Sequence, residues 1–192
     1  MALRKASSYS KKRVRPYTRR SRTKQKAYIK TVPQSKIVKF YMGDIKKNNE
    51  GKYPYVVKLI TEEKVQIRDN ALESCRMLIN KIMDRDAPGQ YYFVVRVYPH
   101  HILRENKGGG GGVAGADRTS SGMSHSFGIT IGRAAIVSAG MDIFYISCEN
   151  EKAARVARDA LTHVKAKLPC RSRILFEKVK NVVEQTVWLL CY

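Results

Sequence analysis

The chain has 192 residues, of which 37 are lysine or arginine and 16 are aspartate or glutamate, so its formal charge is +21. An apolar fraction of 43% is typical of a globular protein, and no apolar run approaches the roughly 20 residues that a membrane-spanning helix needs. The large positive excess favours a polyanionic partner, because basic side chains that neutralise phosphates release counterions and gain affinity without reading a base sequence.

The positive charge is concentrated at the start of the chain. Residues 1–43 contain 14 lysines and arginines and no acidic residue, whereas the rest of the chain holds 23 basic and 16 acidic residues. We predict that residues 1–35 form a basic extended arm, because Pro16 and Pro33 oppose helix formation and the segment is too polar to build a core. Arginine side chains in the arm suit phosphates, and tyrosines such as Tyr17 can stack on bases.

Residues 36–177 are predicted to form one domain, with an apolar tail over 178–192 that would pack on the domain or on a partner. Runs of β-branched and aromatic residues predict strands, and apolar residues that recur every three or four positions predict helices. The predicted elements, in chain order, are a strand over Lys36–Met42, a loop over 43–54, mostly strand over Tyr55–Ile67, a helix over 68–86 with Asp69 as N-cap, a strand over Tyr91–Tyr98, a short helical turn with a connection over 119–128, strands over 132–140 and 141–149, a helix over 150–169 capped by Asn150, and a strand over Arg171–Glu177. This order is typical of an α+β fold with a mixed or antiparallel sheet and two long helices.

A long internal loop over 107–116 contains five consecutive glycines, Gly108–Gly112. Gly110, Gly112 and Gly115 formally match a dinucleotide-binding pattern, but no βαβ unit surrounds them. Ala116 stands where a phosphate-binding Walker loop has its lysine. A nucleotide-dependent enzyme is therefore the weaker alternative, and we expect no catalytic residue and no cofactor.

No C-x-x-C pair is present, so the sequence does not support a zinc site. His100 and His101 are adjacent at the end of a predicted strand, where side chains point apart. Two interpretations of these histidines stay open: packing or hydrogen bonding at the strand end, and contact with a base or phosphate. The loop that follows is bracketed by Arg104, Lys107 and Arg118, and a bare glycine backbone flanked by positive charge can enter a narrow space lined with phosphate.

Several stretches, in this order, resemble the universal L-sixteen family of large-subunit ribosomal proteins, in its archaeal and eukaryotic L-ten-e branch. They are "RPYTRR" (Arg15–Arg20), "IVKFYMG" (Ile37–Gly43), "VQIRDNALESCR" (Val65–Arg76), "VRVYPHHILREN" (Val95–Asn106), "AGADR" (Ala114–Arg118) and Gly122, Met123, Phe127 and Gly128. The resemblance implies an α+β domain docked on large-subunit rRNA near the 5S rRNA and the tRNA-binding cleft, which joins late in assembly. It also implies that the internal loop points towards the peptidyl-transferase centre and the P-site tRNA. This chain departs from the family where Gly108–Gly112 replace mixed residues, so contacts from that part of the loop would come from the backbone.

We therefore expect a structural constituent of the large ribosomal subunit that supports translation and late subunit maturation, without a bound metal. The residues expected to bind rRNA are Arg13, Arg15, Tyr17, Arg19, Arg20, Arg22, Lys24, His100, His101, Arg104, Lys107 and Arg118. The residues expected near tRNA are Gly108, Gly109, Gly110, Gly111, Gly112, Val113, Ala114 and Gly115. Expected partners are large-subunit rRNA, A-site and P-site tRNA, neighbouring ribosomal proteins and assembly factors, with no membrane. The expected location is the cytoplasmic ribosome, with nuclear assembly if the source is eukaryotic. A free-standing basic nucleic-acid-binding protein is the other alternative.

Overall fold

A computed structural model describes residues 7–10, 16–18, 23, 25, 29, 31–105 and 127–179. These residues form two antiparallel sheets and two long helices, which confirms the α+β prediction. The helices are α1 Ser7–Ser10, α2 Ile45–Asn49, α3 Asp69–Asp86 and α4 Glu151–Lys165, and the strands are β1 Tyr41–Gly43, β2 Tyr55–Thr61, β3 Val65–Arg68, β4 Tyr91–Val95, β5 His101–Glu105, β6 Ile129–Val137, β7 Asp142–Cys148 and β8 Ser172–Lys178. No helix in the described ranges is long and apolar enough to cross a membrane.

The larger sheet has the strand order β1-β4-β7-β2-β8, and the two long helices share one core with it. Alternate residues of its central strands, such as Leu59, Phe93 and Ile146, are fully buried in that core. Helix α3 adds residues spaced by three and four positions, and α4 adds an alanine-rich face ending in Leu161 and Val164. Each large apolar side chain buried in this way stabilises the fold by about 1.5–3 kcal/mol.

The smaller sheet has the order β3-β6-β5, and two described residues of the arm, Tyr9 and Tyr17, contact it. Tyr9 of α1 is 8% exposed and lies against Leu103 of β5 and Ala134 of β6. Ile29 is also buried. The described arm residues therefore include apolar anchors, and the arm boundary at residue 35 stays a prediction.

The predicted strand over Lys36–Met42 was largely wrong, since only Tyr41–Gly43 is a strand. The N–H of Lys36 donates to Asp69 Oδ2 (3.1 Å), and the N–H of Val38 donates to Glu73 Oε2 (3.3 Å). Carboxylates at the start of α3 therefore accept hydrogen bonds from backbone N–H groups that would otherwise donate to carbonyl oxygens of a neighbouring strand. Asp69 is the first helical residue rather than the N-cap, which is Arg68.

The predicted loop over 43–54 contains α2, a short helix that has no buried residue and so no apolar stripe to reveal it. Asp44 caps it by accepting hydrogen bonds from the N–H groups of Lys46 and Lys47. Gly43 has a φ of +86°, and a side chain there would overlap the carbonyl oxygen of Tyr91. The N–H of Asp44 donates to that same carbonyl (3.1 Å), so a glycine is needed for the close approach.

Other predictions held with shifted ends. The strands β6 and β7 are consecutive in the chain and the connection between them contains Gly140, as expected, and β8 ends at Lys178. Asn150 is the N-cap of α4, although its amide donates to Gln90 rather than capping the helix. Strand β4 stops at Val95 instead of Tyr98, and β5 is a separate strand that begins at His101. The predicted turn over 119–126 and the tail beyond residue 179 lie outside the described residues.

Candidate RNA interface

The residues that flank the segment 106–126 contact each other through a cluster that we call the loop neck, formed by Tyr17, His101, Arg104 and Phe127. The guanidinium carbon of Arg104 lies 3.5 Å from the ring centroid of Phe127 and 4.3 Å from that of Tyr17. The two rings meet edge to face at 6.1 Å, and Arg104 Nη1 donates to the carbonyl oxygen of Phe127 (2.6 Å). The guanidinium thus lies in the corner between two nearly perpendicular rings and makes a cation–π contact with each of them.

The arm joins the loop neck through the backbone of Tyr17. Its N–H donates to His101 Nδ1 (3.0 Å), and its carbonyl oxygen accepts from the N–H of Ile102 (3.1 Å). Strand β5 is at the edge of the smaller sheet, so Tyr17 uses a backbone donor that the sheet leaves available. One residue of the arm and the residues on both sides of the segment 106–126 are therefore held at one place.

His101 is held neutral in this cluster. Its side chain is 5% exposed, and burial and the nearby Arg104 lower the pKa of its imidazole. Because Nδ1 accepts a hydrogen bond from Tyr17, the proton of the neutral ring lies on Nε2. These contacts support a role in positioning Tyr17, and direct contact of His101 with rRNA stays a prediction.

His100 lies on the surface and belongs to a second group, the outer column, formed by Phe40, Tyr98 and His100. The centroids of Phe40 and Tyr98 are 5.3 Å apart with nearly parallel rings, and those of Tyr98 and His100 are 4.5 Å apart. Arg133 Nη1 donates to the Tyr98 hydroxyl (3.3 Å). Sequence reasoning missed Phe40, Tyr98 and Arg133, because residues so far apart in the chain give no local pattern.

Comparison with known proteins places the chain in a family. Residues 13–175 match the model of ribosomal protein L16p/L10e. The chain belongs to this family. It is 42% identical to the large ribosomal subunit protein uL16 of Staphylothermus marinus over 181 residues, which cover 94% of this chain and 97% of that protein. It is also 42% identical to uL16 of Methanococcus maripaludis over 185 residues (96% and 99%) and to uL16 of Hyperthermus butylicus over 175 residues (88% and 90%).

Membership of the L16p/L10e family confirms the resemblance seen in the sequence and identifies a structural ribosomal component rather than an enzyme. The nucleotide-dependent alternative is thereby excluded. The cysteine chemistry agrees with this result, since burial raises the pKa of the Cys75 and Cys148 thiols to about 12 and keeps them protonated. In the part of the chain that the structure describes, no group of three or more metal-ligating side chains is close enough to hold an ion.

Most of the residues that the sequence predicts to bind rRNA or to lie near tRNA are outside the part of the chain that the structure describes. Tyr17, His100, His101 and Arg104 are the described members, and all but His100 belong to the loop neck. The remaining ones are Arg13, Arg15, Arg19, Arg20, Arg22, Lys24, Lys107, Gly108, Gly109, Gly110, Gly111, Gly112, Val113, Ala114, Gly115 and Arg118. Their roles stay predictions.

Proposed function

We propose that this protein binds large-subunit rRNA through its basic arm and loop neck, and that its internal loop reaches from the neck towards the peptidyl-transferase centre. The observation that carries the proposal is the contact of the Arg104 guanidinium with both the Tyr17 and the Phe127 ring. This contact fastens an acid-free, arginine-rich arm to the base of a glycine-rich loop. The positive charge of the arm suits phosphate, and the bare backbone of the loop suits a narrow cavity. The loop neck supports both segments.

The geometry of the neck supports a protruding loop. Glu105 ends β5 and Phe127 is in contact with Arg104, so the segment 106–126 leaves and returns at one point. A segment of that length with joined ends can reach at most about 35 Å. Gly108–Gly112 are its third to seventh residues and Gly115 is next to its midpoint, so side-chain volume is removed along its first half, which would let the backbone approach RNA or the end of a tRNA.

The finer assignments rest on family resemblance. They comprise a place near the 5S rRNA, proximity to A-site and P-site tRNA, contact with neighbouring ribosomal proteins and assembly factors, late joining during subunit maturation, and residence on cytoplasmic ribosomes. The loop neck supports them in one respect, since it holds the two sides of the segment 106–126 together.

Sedimentation of a cell lysate tests the proposal. The protein should travel with large subunits at low salt and leave them only at high salt, because phosphate contacts weaken as salt rises. A free-standing nucleic-acid-binding protein would instead distribute over unrelated RNA and DNA. Recovery in the soluble fraction at low salt would contradict the proposal.

Deletion of Gly108–Gly112 tests the role of the loop. These residues have no side chains, so subunit association should change little, while subunit maturation or peptide-bond formation should be impaired. Lengthening the run by further glycines is the matched control and should be milder than replacement by valine, because loop-closure entropy grows slowly with length. Normal maturation and translation in the deletion strain would show that the loop is dispensable.

A further inference from the structure

We infer that the outer column, Phe40, Tyr98 and His100, is a stacking site for one unpaired nucleobase of RNA. The inference rests on the proposed function, since it takes the protein to bind RNA, and it adds a site that lies apart from the loop neck. The base would stack on the outer face of the His100 ring and so extend the column by one ring.

The column is built before any ligand arrives. Phe40 and Tyr98 stack at 5.3 Å with an interplanar angle of 26°, and the His100 ring packs on Tyr98 at 4.5 Å with a tilt of 48°. The N–H of His100 donates to the carbonyl oxygen of Tyr98 (3.0 Å), across the buried Pro99. This tight turn keeps the imidazole against the tyrosine ring, so little conformational entropy remains to be lost on binding.

Arg133 fixes the middle of the column. Its Nε donates to the carbonyl oxygen of Pro33 (2.7 Å), and its Nη1 donates to the Tyr98 hydroxyl (3.3 Å). The guanidinium is therefore oriented by two acceptors and stands at the edge of the Tyr98 ring. Its positive charge is available to the phosphate next to a stacked base.

The inner and outer ends of the column differ in exposure. Phe40 is partly buried against the main core, whereas Tyr98 is 43% exposed and His100 is exposed. The outer end is thus an exposed imidazole, and every base has a π-face that can stack on such a ring. A base within a duplex has both faces covered by its neighbours, so the site requires an unpaired one.

Charge favours RNA over an acidic-rimmed protein partner. The charged residues within two positions of a column residue are Lys39 and Arg96, and both are basic. Arg133 places its positive charge beside the Tyr98 ring through its contact with the hydroxyl, which suits a nucleotide. We therefore commit to single-stranded RNA as the occupant.

The test uses the full-length chain and a single-stranded oligouridylate of about twelve nucleotides that carries one central 2-aminopurine. The same strand annealed to its complement is the duplex control. His100→Ala should weaken single-strand affinity about tenfold, the loss expected when one base loses its stacking partner, and should leave duplex affinity unchanged. In the same variant, binding should no longer quench the fluorescence of the 2-aminopurine, because the ring on which that base stacks is gone. His100→Phe should keep both affinity and quenching, because it keeps a ring.

Tyr41→Ala is the matched surface control, since Tyr41 is 59% exposed and lies outside the column; it should change neither affinity. If His100→Ala binds the single strand as tightly as the unaltered chain does, the column is not a base site, and a protein partner becomes its occupant. If the unaltered chain binds neither RNA, the proposed function fails and the base site fails with it. The two failures are thus distinguished by the binding of the unaltered chain to duplex.

Discussion

Arg104 is the residue on which the loop neck depends, since it contacts both rings and the Phe127 carbonyl. Arg104→Ala should therefore loosen the pairing of Tyr17 with β5 and speed hydrogen exchange at the Ile102 amide about tenfold, which corresponds to one or two lost cation–π contacts. Arg104→Lys should fail to restore protection, because an ammonium cannot contact both rings and donate to the Phe127 carbonyl at once as the larger guanidinium does. Arg155→Ala, at an exposed ion pair on α4, is the control; unchanged exchange at Ile102 in the Arg104 variants would show that the arm is held by other contacts.

The neutral state of His101 makes the free energy of unfolding depend on pH. Its pKa in the folded chain is below the ordinary value of 6.5, so below pH 6.5 the unfolded chain binds a proton that the folded chain does not. The free energy of unfolding should consequently fall as the pH drops below 6.5, until the folded pKa is reached. Above pH 6.5 this loss is absent.

His101→Asn is the variant that tests this pH dependence, because its amide oxygen can still accept from the Tyr17 N–H but does not titrate. Urea unfolding from about pH 7.5 to about pH 5 should show a steeper loss of stability in the unaltered chain than in the variant. Parallel stability curves would mean that His101 titrates alike in both states.

At the scale of elements, the start of α3 holds Lys36 through Asp69 and holds Val38 through a largely buried ion pair. The side chains of Glu73 and Arg76 are 13% and 12% exposed and are joined by two hydrogen bonds, and Glu73 also accepts from Val38. Glu73→Ala should cost about 3 kcal/mol, because it leaves a buried guanidinium unpaired. Glu151→Ala is the matched control, because it removes the same side chain from a Glu–Arg pair. Its partner Arg155 is 76% exposed, so the loss of stability should be less than about 0.5 kcal/mol. Equal losses in urea unfolding would contradict the distinction.

The elements that the sequence predicted well are those whose periodicity matches their burial. The helix α4 shows this, since Ala153, Ala157, Leu161 and Val164 recur at spacings of three and four positions and are all buried. The segment 36–40 was mistaken for a strand because β-branched residues favour an extended backbone. An extended backbone can donate its hydrogen bonds to the start of a helix as well as to a neighbouring strand, and the residue types do not distinguish the two cases. The short helix α2 depends on one capping carboxylate, which a local apolar pattern does not reveal.

Only part of the candidate site was accessible to sequence reasoning. Charge and glycine content marked the arm and the loop, and Arg104 was noted as a bracket of that loop. The pairing of Tyr17 with His101 joins residues 84 positions apart, and the stacking of Phe40 on Tyr98 joins two separate segments. Such contacts follow from strand order, which a single sequence does not specify.

At the scale of the whole molecule, the arm combines apolar anchors with basic stretches. Tyr9, Tyr17 and Ile29 contact or pack on the domain, and most of the arginines lie between them in the chain. Replacing Arg13, Arg15, Arg19 and Arg20 by alanine should therefore leave thermal stability nearly unchanged. If each of the four meets a phosphate, the log–log salt slope of rRNA binding should fall by roughly 3 to 4 units.

Filter binding of large-subunit rRNA over a range of salt concentrations measures that slope. Replacing four lysines of the domain surface, Lys81, Lys152, Lys165 and Lys167, gives a control with the same change in net charge. A slope that falls equally in both variants would indicate a general effect of charge rather than docking by the arm.

The anchoring of the arm also fixes the order in which a newly made chain can fold. Tyr9 packs against Leu103 and Ala134, and the Pro33 carbonyl accepts from Arg133, so these contacts cannot form before residue 134 has been synthesised. Residues 1–43, with 14 positive charges and no negative one, are made first and must wait for more than half of the chain to follow. During that interval the most basic part of the protein lacks its surface on the domain and is exposed to every polyanion around it. The topology thus leaves the N-terminal segment without these contacts until the chain has reached residue 134.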